Sequence, residues 1–203
     1  RPGDIAFTVE GPVSSLLVAE RTMLNIMQRM SGIATTTARY QQQLEGLHTK
    51  VLDTRKTTPG MRMLEKEAVK IGGGCNHRIC LFDMILIKDN HVDFAGGIIP
   101  AVERARAYCR EKGLDLKVEV ETRNAREIDE ALQAGADRIM LDNFTVDATR
   151  EAVKQIAGRA EVESSGGITI ENLRQYGECG VDFISVGALT HSVKGLDMSF
   201  KAY

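Results

Sequence analysis

The sequence of 203 residues predicts an α/β barrel, complete or partly open, and three observations carry this prediction. Six short strand-like stretches alternate with helical patterns, which implies parallel strands joined by right-handed crossovers. Glycines stand where the intervening helices should end, at Gly113, Gly135, Gly158 and Gly180. Nearly every strand-like stretch ends in charged residues or glycines, as at the carboxyl face of a barrel, whereas a doubly wound sheet concentrates its site at one point.

The first predicted element is a helix over residues 14–47, where apolar residues recur at helical spacing from Leu16 to Met30. Ser14 and Ser15 are candidate caps of its start, and Ser31-Gly32 is a candidate break. We then expect strands at 49–53, 84–88, 116–121, 138–142, 161–164 and 182–186. The helical patterns between them lie at about 62–72, 95–112, 123–134, 146–157 and 170–178.

The composition excludes several classes of function. The net charge is −2, with 26 basic against 28 acidic residues, so we expect no nucleic-acid partner and only local cationic sites. No run approaches the roughly eighteen apolar residues of a membrane span, and the start is polar, so we expect a cytoplasmic protein. The four cysteines form no CxxC pair; zinc at Cys75, His77 and Cys80 would lack ligands, and reduced thiols are expected instead.

Basic residues cluster at the ends of the first two predicted strands and after the run Gly72-Gly73-Gly74, which is either a helix terminator or a hinge. They are Arg55, Lys56, His77, Arg78 and Lys88. Arginine suits a bidentate grip on carboxylate or phosphate, and lysine acts as a point charge. If the barrel closes, all five can reach one pocket, which predicts a ligand set with more than one anionic group.

Two acidic residues, Glu121 and Asp142, close consecutive predicted strands, so their carboxylates should be neighbours. Such a pair suits Mg²⁺ that carries phosphates, or the two hydroxyls of a ribose. General acid–base chemistry is the alternative, and Asp142 could instead cap the following helix. Glu119 is expected to point to the opposite side of its strand and therefore ranks below Glu121.

Glycine-rich segments follow the last two predicted strands. Ser165, Gly166 and Gly167 precede a helical pattern, and Gly187 is followed by His191. Backbone N–H groups beside a helix start form phosphate sites, and a barrel commonly has one after its final two strands. The sequence therefore predicts phosphate binding at this edge.

Read together, these segments resemble the quinolinate phosphoribosyltransferase family of NAD biosynthesis, whose members are glycosyltransferases of the pentosyl class. The matching segments are Glu20-Arg21-Thr22, Ser31-Gly32-Ile33-Ala34-Thr35, Asp53 to Gly60, Gly72 to Gly74, Asn76-His77-Arg78, Leu86 to His91, Val120-Glu121, Leu141-Asp142-Asn143, Glu163 to Ile168 and Ser185 to Ser192. The resemblance implies an open six-stranded α/β barrel preceded by an α/β sandwich domain. We accordingly divide the chain into a remnant of that domain with a helical arm (1–47), the barrel (48–192) and a tail returning toward the N-terminal domain (193–203).

The resemblance also implies a reaction. Quinolinate and phosphoribosyl pyrophosphate would give nicotinate mononucleotide, pyrophosphate and carbon dioxide, with Mg²⁺ as cofactor and with no covalent nucleophile. The protein would work as a homodimer or a dimer-based hexamer. Positions matching the family's quinolinate-binding residues are Arg21, contributed by the neighbouring subunit, and Arg55, Lys56, His77, Arg78 and Lys88.

A second group of positions matches the residues that bind the phosphoribosyl donor. They are Lys56, Lys88, Glu121, Asp142, Ser165, Gly166, Gly167, Gly187 and His191. Glu121 and Asp142 would also hold the metal ion. One departure is Cys80, which stands where the family usually has glycine and would be strained if its backbone required a positive φ. The alternatives are a relative acting on nicotinate or linked to molybdenum transport, and an inactive binding or assembly fragment.

Overall fold

The computed structural model describes residues 3–202 and contains one sheet of six parallel strands. The strands are β1 Lys50–Leu52, β2 Ile85–Ile87, β3 Val118–Thr122, β4 Arg138–Asp142, β5 Glu161–Ser165 and β6 Phe183–Ser185. Their order in the sheet is β1-β6-β5-β4-β3-β2, so β1 and β2 are its two edges and the barrel is open between them. The predicted fold class and all six predicted strands are confirmed.

The helices follow the predicted alternation with two differences. They are α1 Val13–Gln43, α2 Arg62–Ile71, α3 Asp89–Ala95, α4 Ile98–Lys112, α5 Ala125–Gln133, α6 Val146–Ile156, α7 Leu173–Gly177 and α8 Ala188–His191. The predicted helix at 95–112 is α4, which begins after Gly96 and Gly97, both with positive φ, whereas α3, which ends at Ala95, was not predicted. The short helix α8 was not predicted.

The expected break in the first helix is wrong, because α1 runs without interruption through Ser31-Gly32. Residue 32 must be glycine for a packing reason, because a Cβ placed there would lie 2.2 Å from the carbonyl oxygen of Lys194. The C-terminal segment passes over α1 at this point, and Leu196 N–H donates to Gln28 O at 3.0 Å. The expected serine caps are also wrong, because α1 begins at Val13 without a side-chain cap.

The glycine run after α2 allows close packing. Gly72 is the C-cap of α2, and a Cβ there would lie 2.4 Å from the carbonyl oxygen of Ala34. A Cβ on Gly74 would lie 2.7 Å from the Thr37 side chain. The run therefore ends a helix, as predicted, and also lets α1 approach the barrel wall.

The two faces of the strands differ in polarity. Alternate residues such as Val120, Ile139 and Ile184 join helix residues, including Ile128, in one hydrophobic core. The opposite positions point into the barrel and include buried charged residues, which are considered with the site below. Across residues 3–202, no helix combines the length and the apolar character needed to cross a bilayer.

Candidate active site

The segment after β1 carries Arg55 and Lys56, and an arginine from α1 holds it in place. Arg29 Nε lies 2.7 Å from Glu65 Oε1, and its Nη2 donates to Thr58 Oγ1 at 2.6 Å and to Thr190 O at 3.1 Å. Thr190 Oγ1 in turn donates to Lys56 O at 2.9 Å. Glu65 is fully buried and was not among the predicted site residues. These residues tie the predicted cationic segment to the end of β6.

Lys56, Gly187 and His191 meet at that point. A Cβ on Gly187 would lie 3.1 Å from His191 Nε2 and 3.3 Å from Lys56 Cδ. The glycine therefore leaves room for both basic side chains. His191 Nδ1 lies 2.7 Å from Ser192 Oγ, which orients the ring. The structure thus brings together three residues that the sequence assigned to phosphate binding.

The second glycine segment lies beside Asp142. Asp142 pairs with Ser165 in the β4–β5 register, and Asn143 N–H donates to Ser165 O at 2.9 Å. Gly166 has φ of 95°, and a Cβ there would lie 2.2 Å from Asn143 Oδ1, so no other residue fits this turn. The helix-cap alternative for Asp142 is wrong, because Thr145 is the N-cap of α6 and accepts from Ala148 N–H.

Glu121 is held by a predicted site residue. Its Oε2 lies 3.1 Å from Lys88 Nζ, and its side chain is largely buried. Glu121 is in register with Met140, so it points to the same side of the sheet as Asp142, two residues further along β4. Two carboxylates on one side of neighbouring strands are suitable oxygen ligands for Mg²⁺ with water and phosphate completing the shell.

Arg55 and Arg78 form a concentration of positive charge near the open edge. Arg78 is buried, its Nη1 donates to Met84 O at 3.3 Å, and its Nε finds no hydrogen-bond partner within residues 3–202. Burial, and after it the positive charge of Arg55, lowers the pKa of Arg78. Two guanidinium groups that repel each other are stabilised by a ligand that carries negative charge.

A buried network anchors the segment that carries His77 and Arg78. Asp53 is fully buried, forms an ion pair with Lys66 of α2, and accepts from Asn76 Nδ2 at 2.6 Å and from His77 N–H at 2.9 Å. Lys66 Nζ also donates to His77 O at 2.9 Å. Burial raises the pKa of Asp53 and lowers the pKa of Lys66, and in each case the partner's charge opposes it. The sequence placed Asp53 in a motif but did not identify this role or that of Lys66.

The His77 ring is turned into the barrel. Its Nε2 lies 3.0 Å from Glu119 Oε2 and 3.5 Å from Glu163 Oε2. Arg138 Nη1 lies 3.3 Å from the same Glu163 oxygen. Burial raises the pKa of Glu119 to about 7 and that of Glu163 to about 8, and it lowers the pKa of His77. In residues 3–202, His77, Glu119 and Glu163 are the group of three whose ligand atoms lie close enough for one metal ion.

The expectation for Glu119 is therefore wrong. Residues two apart on a strand point to the same side, so Glu119 faces inward with Glu121. The strand period alone should have placed it there. Glu163 was named only as the first residue of a matching segment, and Arg138 was not singled out, although each occupies an inward position on a predicted strand.

Comparison with known families shows where this chain belongs. The model of the quinolinate phosphoribosyl transferase C-terminal domain matches residues 33–201, and the model of the N-terminal domain matches residues 1–31. This chain belongs to the quinolinate phosphoribosyltransferase family. Both domain models match in chain order, and the C-terminal match spans the whole barrel.

Relatives in this family are longer than this chain. It is 49% identical to the chloroplastic nicotinate-nucleotide pyrophosphorylase (carboxylating) of Arabidopsis thaliana, covering 95% of the chain and 59% of that protein. It is 47% identical to the probable enzyme of Bacillus subtilis (strain 168), covering 97% of the chain and 67% of that protein. The crystal structure of NadC from Streptococcus pyogenes superposes with a TM-score of 0.88 at 45% identity, covering 95% of the chain and 66% of that structure. The chain thus spans about three fifths to two thirds of these relatives.

Two family-based expectations concern the periphery of the site. Arg21 is exposed on α1, so its contribution to a neighbouring subunit's site stays a prediction. Cys80 is not strained: among the described residues, the non-glycine positions with positive φ are Asn143 and Ala157. The N–H groups of Ile79 and Cys80 donate to the Asp83 carboxylate at 2.7 and 2.9 Å, which shapes the turn without glycine.

Proposed function

We propose that this chain carries the catalytic barrel of an enzyme that transfers phosphoribosyl from phosphoribosyl pyrophosphate to quinolinate with decarboxylation. The products would be nicotinate mononucleotide, pyrophosphate and carbon dioxide. The observation that carries the proposal is the meeting of Lys56 and His191 around Gly187 at the strand ends, and the positive charge of Arg55 also acts on the buried Arg78. The names of the relatives support the same reaction.

Quinolinate is the proposed acceptor because it carries two carboxylates. Arg78 presents a guanidinium with an unpaired Nε, and Arg55 adds a second positive charge beside it. A monocarboxylate such as nicotinate would leave one of these charges unpaired. Arg21 from a partner subunit and Lys88 would complete the contacts in a homodimer or a dimer-based hexamer. His77 stays a predicted substrate ligand on the resemblance alone, because its ring is buried and faces Glu119.

The donor would lie along the ends of β4, β5 and β6. Gly187 leaves room for Lys56 and His191 at one phosphate, and the turn at Gly166-Gly167 with Ser165 offers backbone N–H groups to another. Glu121 and Asp142 would bind the ribose hydroxyls and hold Mg²⁺, which when bound neutralises the departing pyrophosphate. Carboxylates fixed near the ribose stabilise the positive charge that develops on it as the leaving group departs.

Ribosyl transfer should precede decarboxylation. Transfer places a positive charge on the ring nitrogen, and the electron pair of the breaking bond to carbon dioxide can then be stabilised beside that nitrogen. The resulting carbanion takes up a proton to give nicotinate mononucleotide. Release of carbon dioxide before pyrophosphate, in a rapid-quench experiment, would contradict this order. A cytoplasmic location stays a prediction, and the name of the Arabidopsis relative includes a chloroplast location for that protein.

The test is an ultraviolet assay of quinolinate consumption with phosphoribosyl pyrophosphate and Mg²⁺. Arg78→Ala should raise the quinolinate KM by about 30-fold or more and leave the KM of the donor nearly unchanged, since it removes one desolvated charged contact. Arg126→Ala is the matched control, because Arg126 is exposed on α5 and pairs with Glu130. Equal effects on both KM values would count against the assignment.

Two further measurements separate the alternatives. Turnover of nicotinate in place of quinolinate would favour the monocarboxylate relative. Absence of heat in a calorimetric titration with quinolinate would favour an inactive binding or assembly fragment. Mixing Arg21→Ala with Arg55→Ala protein should restore part of the lost activity if Arg21 acts across subunits, and no recovery would contradict the shared site.

A further inference from the structure

A group of buried polar atoms inside the barrel lacks hydrogen-bond partners among residues 3–202. The atoms are His77 Nε2, both Glu119 oxygens and Glu163 Oε1. His77 Nε2 lies 3.0 Å from one Glu119 oxygen, but its N–H is not aimed along that line. Buried polar atoms without partners are uncommon, so a proton, a water molecule or an ion must account for this cluster.

The other ring nitrogen of His77 decides between these accounts. His77 Nδ1 accepts the backbone N–H of Arg78 at 2.7 Å. A nitrogen that accepts carries no proton, so the neutral imidazole has its proton on Nε2, between Glu119 and Glu163. The burial that lowers the pKa of His77 favours this neutral form.

The same hydrogen bond argues against a metal ion in the cluster. A histidine that binds a metal normally donates its second ring N–H to a carbonyl or carboxylate. Here Nδ1 is the acceptor, and Nε2 must keep its proton. Arg138, 3.3 Å from Glu163, already supplies positive charge to these carboxylates.

We propose that Glu119 and Glu163 are positioning residues that favour the Nε2–H tautomer of His77, so that its Nδ1 stays free to accept the Arg78 backbone N–H. The two carboxylates lie 3.0 and 3.5 Å from Nε2 and attract its N–H by charge, and the N–H of Arg78 donates to Nδ1 at the other end of the ring. The ring thereby sets where the Arg78 guanidinium lies. Only the consequence for quinolinate binding rests on the proposed function.

The first test does not depend on catalysis. Long-range ¹H–¹⁵N correlation spectra of the imidazole-labelled chain resolve the tautomers of its four histidines, and His77 is assigned from the spectrum of His77→Gln. The expected pattern at neutral pH is a protonated Nε2 and an unprotonated Nδ1, with no bound metal by elemental analysis. A doubly protonated ring, an Nδ1–H ring or one equivalent of metal removable by chelator would overturn the proposal.

The second test compares variants at Glu163 and Glu119. Glu163→Leu and Glu119→Leu remove the carboxylate, and each should raise the quinolinate KM by about 10-fold through misplacement of Arg78, with little change in the donor KM. Glu163→Gln and Glu119→Gln retain an oxygen acceptor and should keep the tautomer and most of the affinity. Thr149→Val is the control, because Thr149 is equally buried on α6 and its hydroxyl is also unpaired.

The outcomes separate this proposal from the proposed function. If His77 has the Nε2–H tautomer but the protein does not turn over quinolinate, the positioning role of Glu119 and Glu163 stands and the proposed enzymatic activity is refuted. If the native protein turns over quinolinate, and the leucine variants fold by circular dichroism and keep the native quinolinate KM, the positioning role is refuted. If the leucine variants fail to fold, the glutamine variants and the native spectrum decide, since loss of the Nε2–H tautomer in either glutamine variant contradicts the mechanism.

Discussion

Replacing Asp53 with asparagine should destabilise the fold strongly, because it leaves a buried ammonium group without a counter-charge. Lys66 is 3% exposed, and without Asp53 it would keep the hydrogen bond to His77 O at 2.9 Å, which carries no negative charge. Breaking a buried ion pair from one side costs about 3–5 kcal/mol of unfolding free energy. Asn76 Nδ2 and His77 N–H bind different oxygens of Asp53, so asparagine can keep one of these acceptors, and the lost hydrogen bond adds to the cost of the unpaired charge.

The double variant Asp53→Asn with Lys66→Met tests that reasoning. Removing both charges should return the unfolding free energy to within about 2 kcal/mol of the native value, because a neutral pair needs no counter-charge. The coupling between the two changes should therefore exceed about 2 kcal/mol. Lys70→Met is the surface control: Lys70 pairs with Glu67 across exposed side chains and should change stability by less than about 0.5 kcal/mol.

The assay is urea unfolding followed by far-ultraviolet circular dichroism, since the chain has no tryptophan. Single and double variants are compared at one pH with the slope of the transition checked for constancy. Simple addition of the two single losses in the double variant would refute the ion-pair argument. It would mean that each residue contributes through separate packing contacts.

Three further outcomes are expected. Gly32→Ala should lower the unfolding free energy by about 2 kcal/mol or detach the C-terminal segment, because the alanine methyl group would overlap Lys194 O. A native melting temperature for this variant would contradict the close packing of the C-terminal segment on α1. Burial raises the pKa of Glu163 from 4.5 to about 8, so the folded state keeps this proton at pH values where the unfolded state has lost it, and the unfolding free energy falls as pH rises from about 4.5 to about 8. Glu163→Gln should make that fall shallower by at most about 1.4 kcal/mol per pH unit. Identical slopes of unfolding free energy against pH in urea titrations would argue against this assignment. Gly166→Ala should raise the donor KM by about 10-fold by moving the turn away from Asn143 Oδ1, whereas an unchanged donor KM would show that the turn does not bind phosphate.

The sequence predicted the elements well because their signals are local. Apolar alternation and helix-ending glycines depend on neighbouring residues, and so the six strands appear within about two residues of their predicted bounds. Glu119 was misplaced although the same local period covers it. The error came from treating residues two apart on a strand as opposed.

The interactions that the sequence did not predict join residues far apart in the chain. Nothing near Glu65 indicates that Arg29 reaches it from α1, and nothing near Gly32 indicates that Lys194 passes above it. The direction of the His77 ring depends on the path of the backbone between Asn76 and Arg78, which Asp53 and Lys66 determine. Site residues could be named from motifs, but their orientation required the tertiary structure.

The opening between β1 and β2 has a consequence for how ligands could enter. Cys75 makes a single bridge to Leu52, and the segment from there to Met84 completes the wall mainly through side-chain contacts. A wall of this kind can move one contact at a time, whereas the ladder from β3 to β6 opens only by breaking several backbone bonds together. Arg78 lies outside that ladder, in a segment held by the buried network of Asp53 and Lys66, while the predicted phosphate-binding residues follow strands of the ladder. The acceptor and the donor of the proposed reaction would therefore meet parts of the barrel wall that are held together by different kinds of contact.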